Sequence, residues 1–243
     1  MNTWLFDLGN SRLKLAPLRD GKVGGVRAVG HDGNGFEPGW LQHLPDTFDL
    51  GCVATVAASA PTVQLLDALA ARGNRITIAR TQAAFAGVRI AYAQPRRLGV
   101  DRFLALLAAR ARDARPALVV GVGTALTVDL LDADGRHRGG RIAPSPALMR
   151  AALHRRAPVL PAEGGLYHEF AADTDDALAS GCEGAALGLV ARSMEAAAQL
   201  LGSAPTLLLH GGGAPALLPQ LPAATHAPVL VLEGLAHWAR AAA

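Results

Sequence analysis

Alternating apolar and polar positions divide the first thirty residues into three short strands, at residues 3–8, 11–18 and 22–29. The gaps between them are short and carry glycine, as in a meander of hairpins. After a polar, glycine-rich segment (31–39), residues 52–57 read as a buried strand, 62–72 as a helix and 75–80 as another strand. This is an alternation of β and α. Residues 100–112 carry a helical period, with Phe103, Leu104, Leu106 and Leu107 on one side and Arg110 and Arg112 among the polar positions.

The opening pattern then recurs. Residues 117–120 read as a strand, Gly121-Val122-Gly123-Thr124 as a turn, and 125–131 as a strand. A turn at 132–135 leads to a third strand near 139–143. Asp7-Leu8-Gly9-Asn10-Ser11 aligns with Gly121-Val122-Gly123-Thr124-Ala125, each a strand, an x-Gly-polar turn and a strand. Two such units suggest a duplicated fold. The remainder is helix-rich: 145–155, a long 176–201, a strand at 206–209, the run Gly211-Gly212-Gly213 and a C-terminal helix. The expected architecture is two α/β lobes, residues 1–115 and 116–243, and a cleft between duplicated lobes is a natural small-molecule site.

At 243 residues the chain can bury one large core or two modest ones. With 51% hydrophobic and 18% charged residues, disorder is not expected. No apolar run approaches the ~20 residues of a membrane span, and the first residues lack the order of a signal peptide. Cys52 and Cys182 fit reduced, buried thiols and therefore a cytoplasmic protein. No Cys/His spacing resembles a zinc site. The net charge of +3 is uneven: residues 72–115 hold ten Arg against Asp101 and Asp113. Nucleic acid is one reading of that stripe, but only Phe85, Tyr92 and Phe103 are there to stack on bases. A solvated face of Arg-rich helices and attraction for an anionic small molecule are the others.

Asp7 interrupts an apolar run just before a glycine turn. Such a turn lets backbone N–H groups approach phosphate oxygens. Asn10 and Ser11 can add hydrogen bonds, and Arg12 or Lys14 can neutralise charge. Asp7 would hold a hydrated Mg²⁺ bridging the phosphates. Alone, this is also an ordinary hairpin with a turn acid; the second turn, with Thr124 and Thr127 as hydroxyl donors, favours the phosphate reading. Gly211-Gly212-Gly213 after an apolar strand would let a flat adenine or ribose lie against backbone. Neither a Walker A loop nor a dinucleotide fingerprint occurs. In Gly99-Val100-Asp101-Arg102, an acid at a helix start can accept a hydroxyl proton and its neighbour can pair with a carboxylate. The same acid also suits a first helical turn without any chemistry.

Together these stretches resemble the type III pantothenate kinases, of the acetate kinase, sugar kinase, Hsp70 and actin superfamily. Asp7-Leu8-Gly9-Asn10-Ser11 is similar to the family's Asp-x-Gly-Asn-[Ser/Thr], and Gly99-Val100-Asp101-Arg102 to its Gly-x-Asp-Arg. Gly123-Thr124-Ala125-Leu126-Thr127 is similar to its Gly-Thr-Ala-x-Thr, and Gly139-Gly140-Arg141-Ile142-Ala143-Pro144 to its Gly-Gly-x-Ile-x-Pro. The resemblance implies a duplicated ribonuclease H-like (actin-like ATPase) fold with an ATP cleft between its lobes. The implied activity is ATP- and Mg²⁺-dependent phosphorylation of pantothenate to 4'-phosphopantothenate, the first step of coenzyme A biosynthesis. It implies Asp101 as general base, with Tyr92, Gly99, Val100, Arg102 and Thr174 at the pantothenate site. Asp7, Leu8, Gly9, Asn10, Ser11, Arg12, Leu13, Lys14 and Thr124 would bind ATP. It further implies a cytoplasmic homodimer whose substrate pocket is closed by the partner. The alternatives are a kinase of another small hydroxy acid, or a non-catalytic regulatory or transcription-accessory protein of the same fold.

One position departs from the family. The acid that helps bind a monovalent cation, K⁺ or NH₄⁺, stands two residues before the Gly-Thr-Ala glycine, and here it is Gly121. Backbone carbonyls can still supply some oxygen ligands, or a side chain from elsewhere fills the position. Asp129 lies further along the second strand, facing either the cleft or solvent.

Overall fold

The computed structural model describes residues 1–241. The chain opens with strands β1 (Thr3–Leu8), β2 (Arg12–Arg19), β3 (Lys22–Val23), β4 (Arg27–Gly30) and β5 (Phe48–Thr55). Helix α1 (Ser59–Ala70), strand β6 (Gly73–Ile78), the small hairpin β7 and β8 (Ala84–Phe85, Val88–Arg89) and helix α2 (Val100–Arg112) follow. Next come β9 (Ala117–Val122), β10 (Ala125–Leu131), β11 (His137–Pro144), α3 (Pro146–Arg156) and α4 (Thr174–Leu201). β12 (Thr206–His210), α5 (Ala214–Leu217), β13 (Ala224–His226) and α6 (Leu230–Ala241) complete the order. The chain divides into two units: Met1–Ala114 with Asp134–His137 and the segment from Val229, and Arg115–Ala133 with Arg138–Pro228.

In the first unit the sheet runs β3-β2-β1-β5-β6, with β1 antiparallel to β2 and parallel to β5. The stretch read from sequence as one strand, 22–29, is two. β3 and β4 share the same edge of β2, with Gly24-Gly25 in the break between them. Alternation along β1 sends Trp4, Phe6 and Leu8 into a core with Leu13, Leu15, Phe48 and Val53 and with Leu65 and Leu69 of α1. Leu5 and Asp7 therefore face the other side of the sheet, where α2 and α6 pack.

Helix α2 is less amphipathic than its sequence suggests. Phe103 to Ala109 are all buried, because α6 covers the side that would otherwise be wet. The two helices approach so closely that a Cβ at Gly234 would run into the Leu104 carbonyl. Arg112 grips Glu233 with two hydrogen bonds of 2.8 Å. That pair is about one-third exposed and contributes at most ~1 kcal/mol. Burying Phe103, Leu106 and Leu107 contributes about 1.5–3 kcal/mol each, so apolar packing dominates this contact. It also places the C-terminal helix in the first unit, whereas the sequence reading put all of 116–243 in the second lobe.

The second unit repeats the plan. Its sheet runs β11-β10-β9-β12-β13, with β9 antiparallel to β10 and parallel to β12. Leu118, Val120, Val122, Leu126, Val128, Leu130, Leu207 and Leu209 form a core with α4 and α5. Beyond Leu178, the residues α4 buries (Ala179, Cys182, Ala186, Val190, Ser193, Ala197) are mostly small and recur every three or four positions, so the helix lies close to its neighbours. Asp173 caps its start by accepting from Asp176 N–H at 3.0 Å. Both cysteines are buried and free. Among the described residues no helix is long and apolar enough to cross a membrane.

Candidate active site

In the first unit, Gly9 N–H donates to the Arg12 carbonyl at 3.0 Å, leaving Asn10 and Ser11 exposed at the tip of the β1–β2 turn. The turn rests on His31, whose Nε2 donates to the Gly9 carbonyl at 2.8 Å. His31 Nδ1 accepts from Gly33 N–H at 3.2 Å. A carbonyl only accepts and an N–H only donates, so these partners select the Nε2–H tautomer. The ring thereby fixes the backbone of the turn. Within residues 7–14, Leu8 and Leu13 are fully buried core side chains, so only their backbone is available to a nucleotide.

Asp7 lies directly across from Lys14 on β2 and from Ala54 on β5. Although the residue keeps some exposure, it is set among densely packed protein. Loss of water pushes its carboxyl up to about 7; Lys14 pulls it down and the nearby Asp101 pushes it up again. Two carboxylates are thus gathered on one side of the sheet, one from a strand end and one from the first turn of α2.

Asp101 is positioned by a missing side chain. Gly99 caps α2, its carbonyl accepting from Phe103 N–H at 3.1 Å, and a Cβ there would stand 2.5 Å from Asp101 Oδ1. Gly99→Ala is therefore expected to swing the carboxylate aside and lower kcat by roughly 10- to 100-fold, with an unchanged circular dichroism spectrum. A kcat within twofold of the parent would show that Asp101 tolerates the shift. Arg102, next along, is only 7% exposed; its Nη1 donates to the Tyr92 hydroxyl at 3.4 Å. Tyr92 in turn stacks on His137, with ring centroids 5.9 Å apart. His137 arrives with residues 134–137, which are pinned by Arg89 N–H donating to the Gly135 carbonyl at 2.9 Å.

Of the Arg-rich stripe, Arg102 is buried here and Arg112 is spent on Glu233. Arg72 and Arg110 bond the Ala68 and Ala114 carbonyls of their own neighbourhoods at 2.9 and 3.2 Å.

In the second unit, Thr124 is exposed at the tip of the β9–β10 turn, which Gly123 N–H closes on the Ala125 carbonyl at 2.9 Å. Thr174 is the exposed first residue of α4. It lines a shallow depression of about 440 Å³ with Leu160, Ala171, Asp173 and Leu178. Gly121 is the register counterpart of Asp7: one step before the last pair of its hairpin, it faces Thr127 on β10 and His210 on β12. A Cβ there would lie 2.7 Å from Thr127 Oγ1 and 2.9 Å from His210 Nε2. Thr127 and Asp129 share the sheet face opposite the α4 core, and Asp129 is buried. A monovalent cation finds no carboxylate at Gly121, and the space a side chain would need is already taken. The residues present do not fit it.

Residues 4–196 match the family model described as "Type III pantothenate kinase". The chain belongs to the type III pantothenate kinase family. It is 59% identical over 239 residues to the type III pantothenate kinase of Stenotrophomonas maltophilia strain K279a, covering 98% of each chain. Among solved structures it is similar to a conserved putative Baf family transcriptional activator from Campylobacter jejuni. That match has a TM-score of 0.63, 18% identity, and covers 98% of this chain and 97% of the other. An archaeal actin homologue matches with a TM-score of 0.52 and 10% identity over 100% of both chains. At these identities the structural likenesses establish the fold alone: a duplicated, actin-like α/β fold.

Sequence reasoning missed His31, His137 and His210. His31 meets Gly9, His137 meets Tyr92 and His210 meets Gly121, each far off in sequence, so no spacing marks these contacts. Only His210 carried a local signal, standing at a strand end before three glycines.

Proposed function

We propose that this protein transfers the γ-phosphoryl group of ATP to the primary hydroxyl of pantothenate, giving 4'-phosphopantothenate and ADP. The observation that carries this reading is the gathering in the first unit of Asp7 and Asp101 with the buried, Tyr92-bonded Arg102. Arg102 and Tyr92 orient pantothenate by its carboxylate, and the Gly99–Val100 backbone lines its path. Asp101 takes the proton of the hydroxyl as its oxygen attacks the γ-phosphorus. The bond from that phosphorus to the β–γ bridging oxygen breaks, and the electron pair leaves with ADP. Backbone N–H groups of the Gly9 turn, Asn10, Ser11 and Lys14 hold phosphate oxygens.

Asp7 fits a Mg²⁺ ion. It is a desolvated acid facing a second acid, and a cation relieves both the burial and the repulsion. When bound, Mg²⁺ would neutralise phosphate charge. Among the described residues no cluster of three His, Cys, Asp or Glu forms a complete metal cage, so Asp7 would share the ion with water and ATP oxygens.

A cytoplasmic homodimer is part of the same proposal. In the second unit Val159, Leu166 and Phe170 are 90%, 71% and 99% exposed between α3 and α4, an apolar surface suited to a second copy. Phe170→Asp is expected to shift the species seen by light scattering from dimer to monomer. An unaltered dimer would remove that loop from the interface.

The activity is tested by ADP release from purified protein with Mg-ATP and pantothenate, against a panel of other hydroxy acids. Pantothenate-dependent turnover with a phosphorylated product is expected. Turnover with another acid alone would reassign the substrate, and none with any acceptor would remove the enzyme.

A further inference from the structure

Gly121 is held between two side chains by the sheet itself. Residues opposite one another on neighbouring strands project to the same face, and Gly121 has such a neighbour on each edge, Thr127 and His210. Lacking a Cβ, it leaves a gap, and both neighbours lean over it. A Cβ built there would be 2.7 Å from Thr127 Oγ1, and 2.9 and 3.0 Å from Nε2 and Cε1 of His210. The first two are distances real Cβ atoms essentially never show, and an imidazole is a stiff plane that yields only by turning as a whole.

The ring is also fixed from behind. His210 ends β12, and the chain turns at once through Gly211, whose φ is 97°. A Cβ on Gly211 would run into the Val122 carbonyl, the same carbonyl that accepts from Gly213 N–H at 2.9 Å. The glycine run, read from sequence as a nucleotide turn, thus wraps Val122 and sets where His210 leaves the backbone.

We infer that the His210 imidazole closes the position where the family's cation-binding acid would stand, and that this chain transfers phosphate without a K⁺ or NH₄⁺ requirement. The inference rests on the kinase reading above. Alkali cations are held by oxygen ligands, from carbonyls, carboxylates and water. At Gly121 the carboxylate is gone and an imidazole nitrogen occupies the space. Asp129, on the same sheet face, sits two residues further along, opposite Val119. It is buried, and to stand at Gly121 it would have to reach past a pair of the ladder.

The test compares turnover at fixed ionic strength in tetramethylammonium, Na⁺, K⁺ and NH₄⁺. In parallel, the melting temperature of the complex with a non-hydrolysable ATP analogue is followed in the same salts. Rates within twofold across the series, and melting temperatures that do not distinguish K⁺ from tetramethylammonium, are expected. Activation of tenfold or more by K⁺ or NH₄⁺, or a K⁺-specific rise in melting temperature, would overturn the inference. Absence of turnover in every salt would strike the kinase reading instead, and the melting series would still decide whether the chain binds the cation.

The double variant Gly121→Asp/His210→Gly removes the ring and supplies the acid. It is expected to acquire activation by K⁺ of at least fivefold. His210→Ala, which only empties the space, keeps the comparison open should the double variant not fold. It is expected to become K⁺-sensitive in rate or melting temperature, and insensitivity of a folded His210→Ala protein would count against the ring as the closing group.

Discussion

Asp101→Asn will lower kcat for pantothenate phosphorylation by about 10²–10⁴-fold, the usual span for loss of a general base, while leaving the protein folded. Asn keeps the size of the side chain, so the packing against Gly99 survives. What disappears is the ability to accept a proton. The loss therefore falls on kcat rather than on KM for pantothenate, whose carboxylate is assigned to Arg102. A merely structural acid would behave differently. In the first turn of α2 a carboxylate contributes about 0.3–1 kcal/mol through the helix dipole, so its neutralisation would move the melting point slightly and kcat hardly at all. Steady-state kinetics beside a melting curve separate the two cases. A kcat within threefold of the parent, in a protein with a slightly lower melting temperature, would leave Asp101 as a helix-terminus residue and the base unassigned.

The elements most legible in the sequence were those whose local pattern and tertiary setting agree. β1 occupies residues 3–8 as expected, because apolar residues on both its faces are bounded by Asn2 and the Gly9 turn. α2 also has its expected bounds, but its one-sided packing was misjudged. No residue in 100–112 announces that α6, more than a hundred residues later, will cover the second side. The same distance effect hid the placement of α6 in the first unit. β7, β8 and β13 are two or three residues long, too short for alternation to register. Duplication was visible as two glycine turns, and the matching strand orders of the two sheets give it a structural basis. At the candidate site, Asp7, Gly99, Asp101 and Arg102 stood out because acids and glycines interrupting apolar runs demand an explanation. The histidines did not: His31 meets Gly9 across 22 residues, and His210 meets Gly121 only through the register of two strands. Whether an isolated histidine packs against something or nothing is decided by pairing that a single sequence leaves unwritten.

Asp7→Asn will make the ligand-free protein more stable, and more so at pH 8 than at pH 5, while removing its use of Mg-ATP. The stability half follows from the raised carboxyl. In the folded chain Asp7 gives up its proton near pH 7 against an ordinary value of 3.8, so between those limits the native state holds a proton that the unfolded chain has lost. Stability contributed by that proton is complete below about pH 4 and is lost as pH rises through about 7. The parent therefore carries the cost of a poorly solvated carboxylate at pH 8, on the order of 2–4 kcal/mol, which Asn does not. Thermal melts of both proteins at pH 5 and pH 8 measure the difference directly. Equal gaps at the two pH values would mean that Asp7 is solvated and ordinary. The activity half follows from the same burial. A carboxylate kept short of water, with Asp101 adding repulsion, is poised for a cation that arrives with phosphate, and a neutral amide is a far weaker partner for it. Values of kcat/KM for Mg-ATP are expected to fall at least 100-fold, ~2.7 kcal/mol of transition-state binding. A substitution that stabilises the empty protein while disabling the loaded one is the signature of an acid retained for its ligand. If both stability and kcat/KM stay at the parent's values, Asp7 is a turn residue, and the phosphate-binding role of the β1–β2 turn would have to rest on its backbone alone.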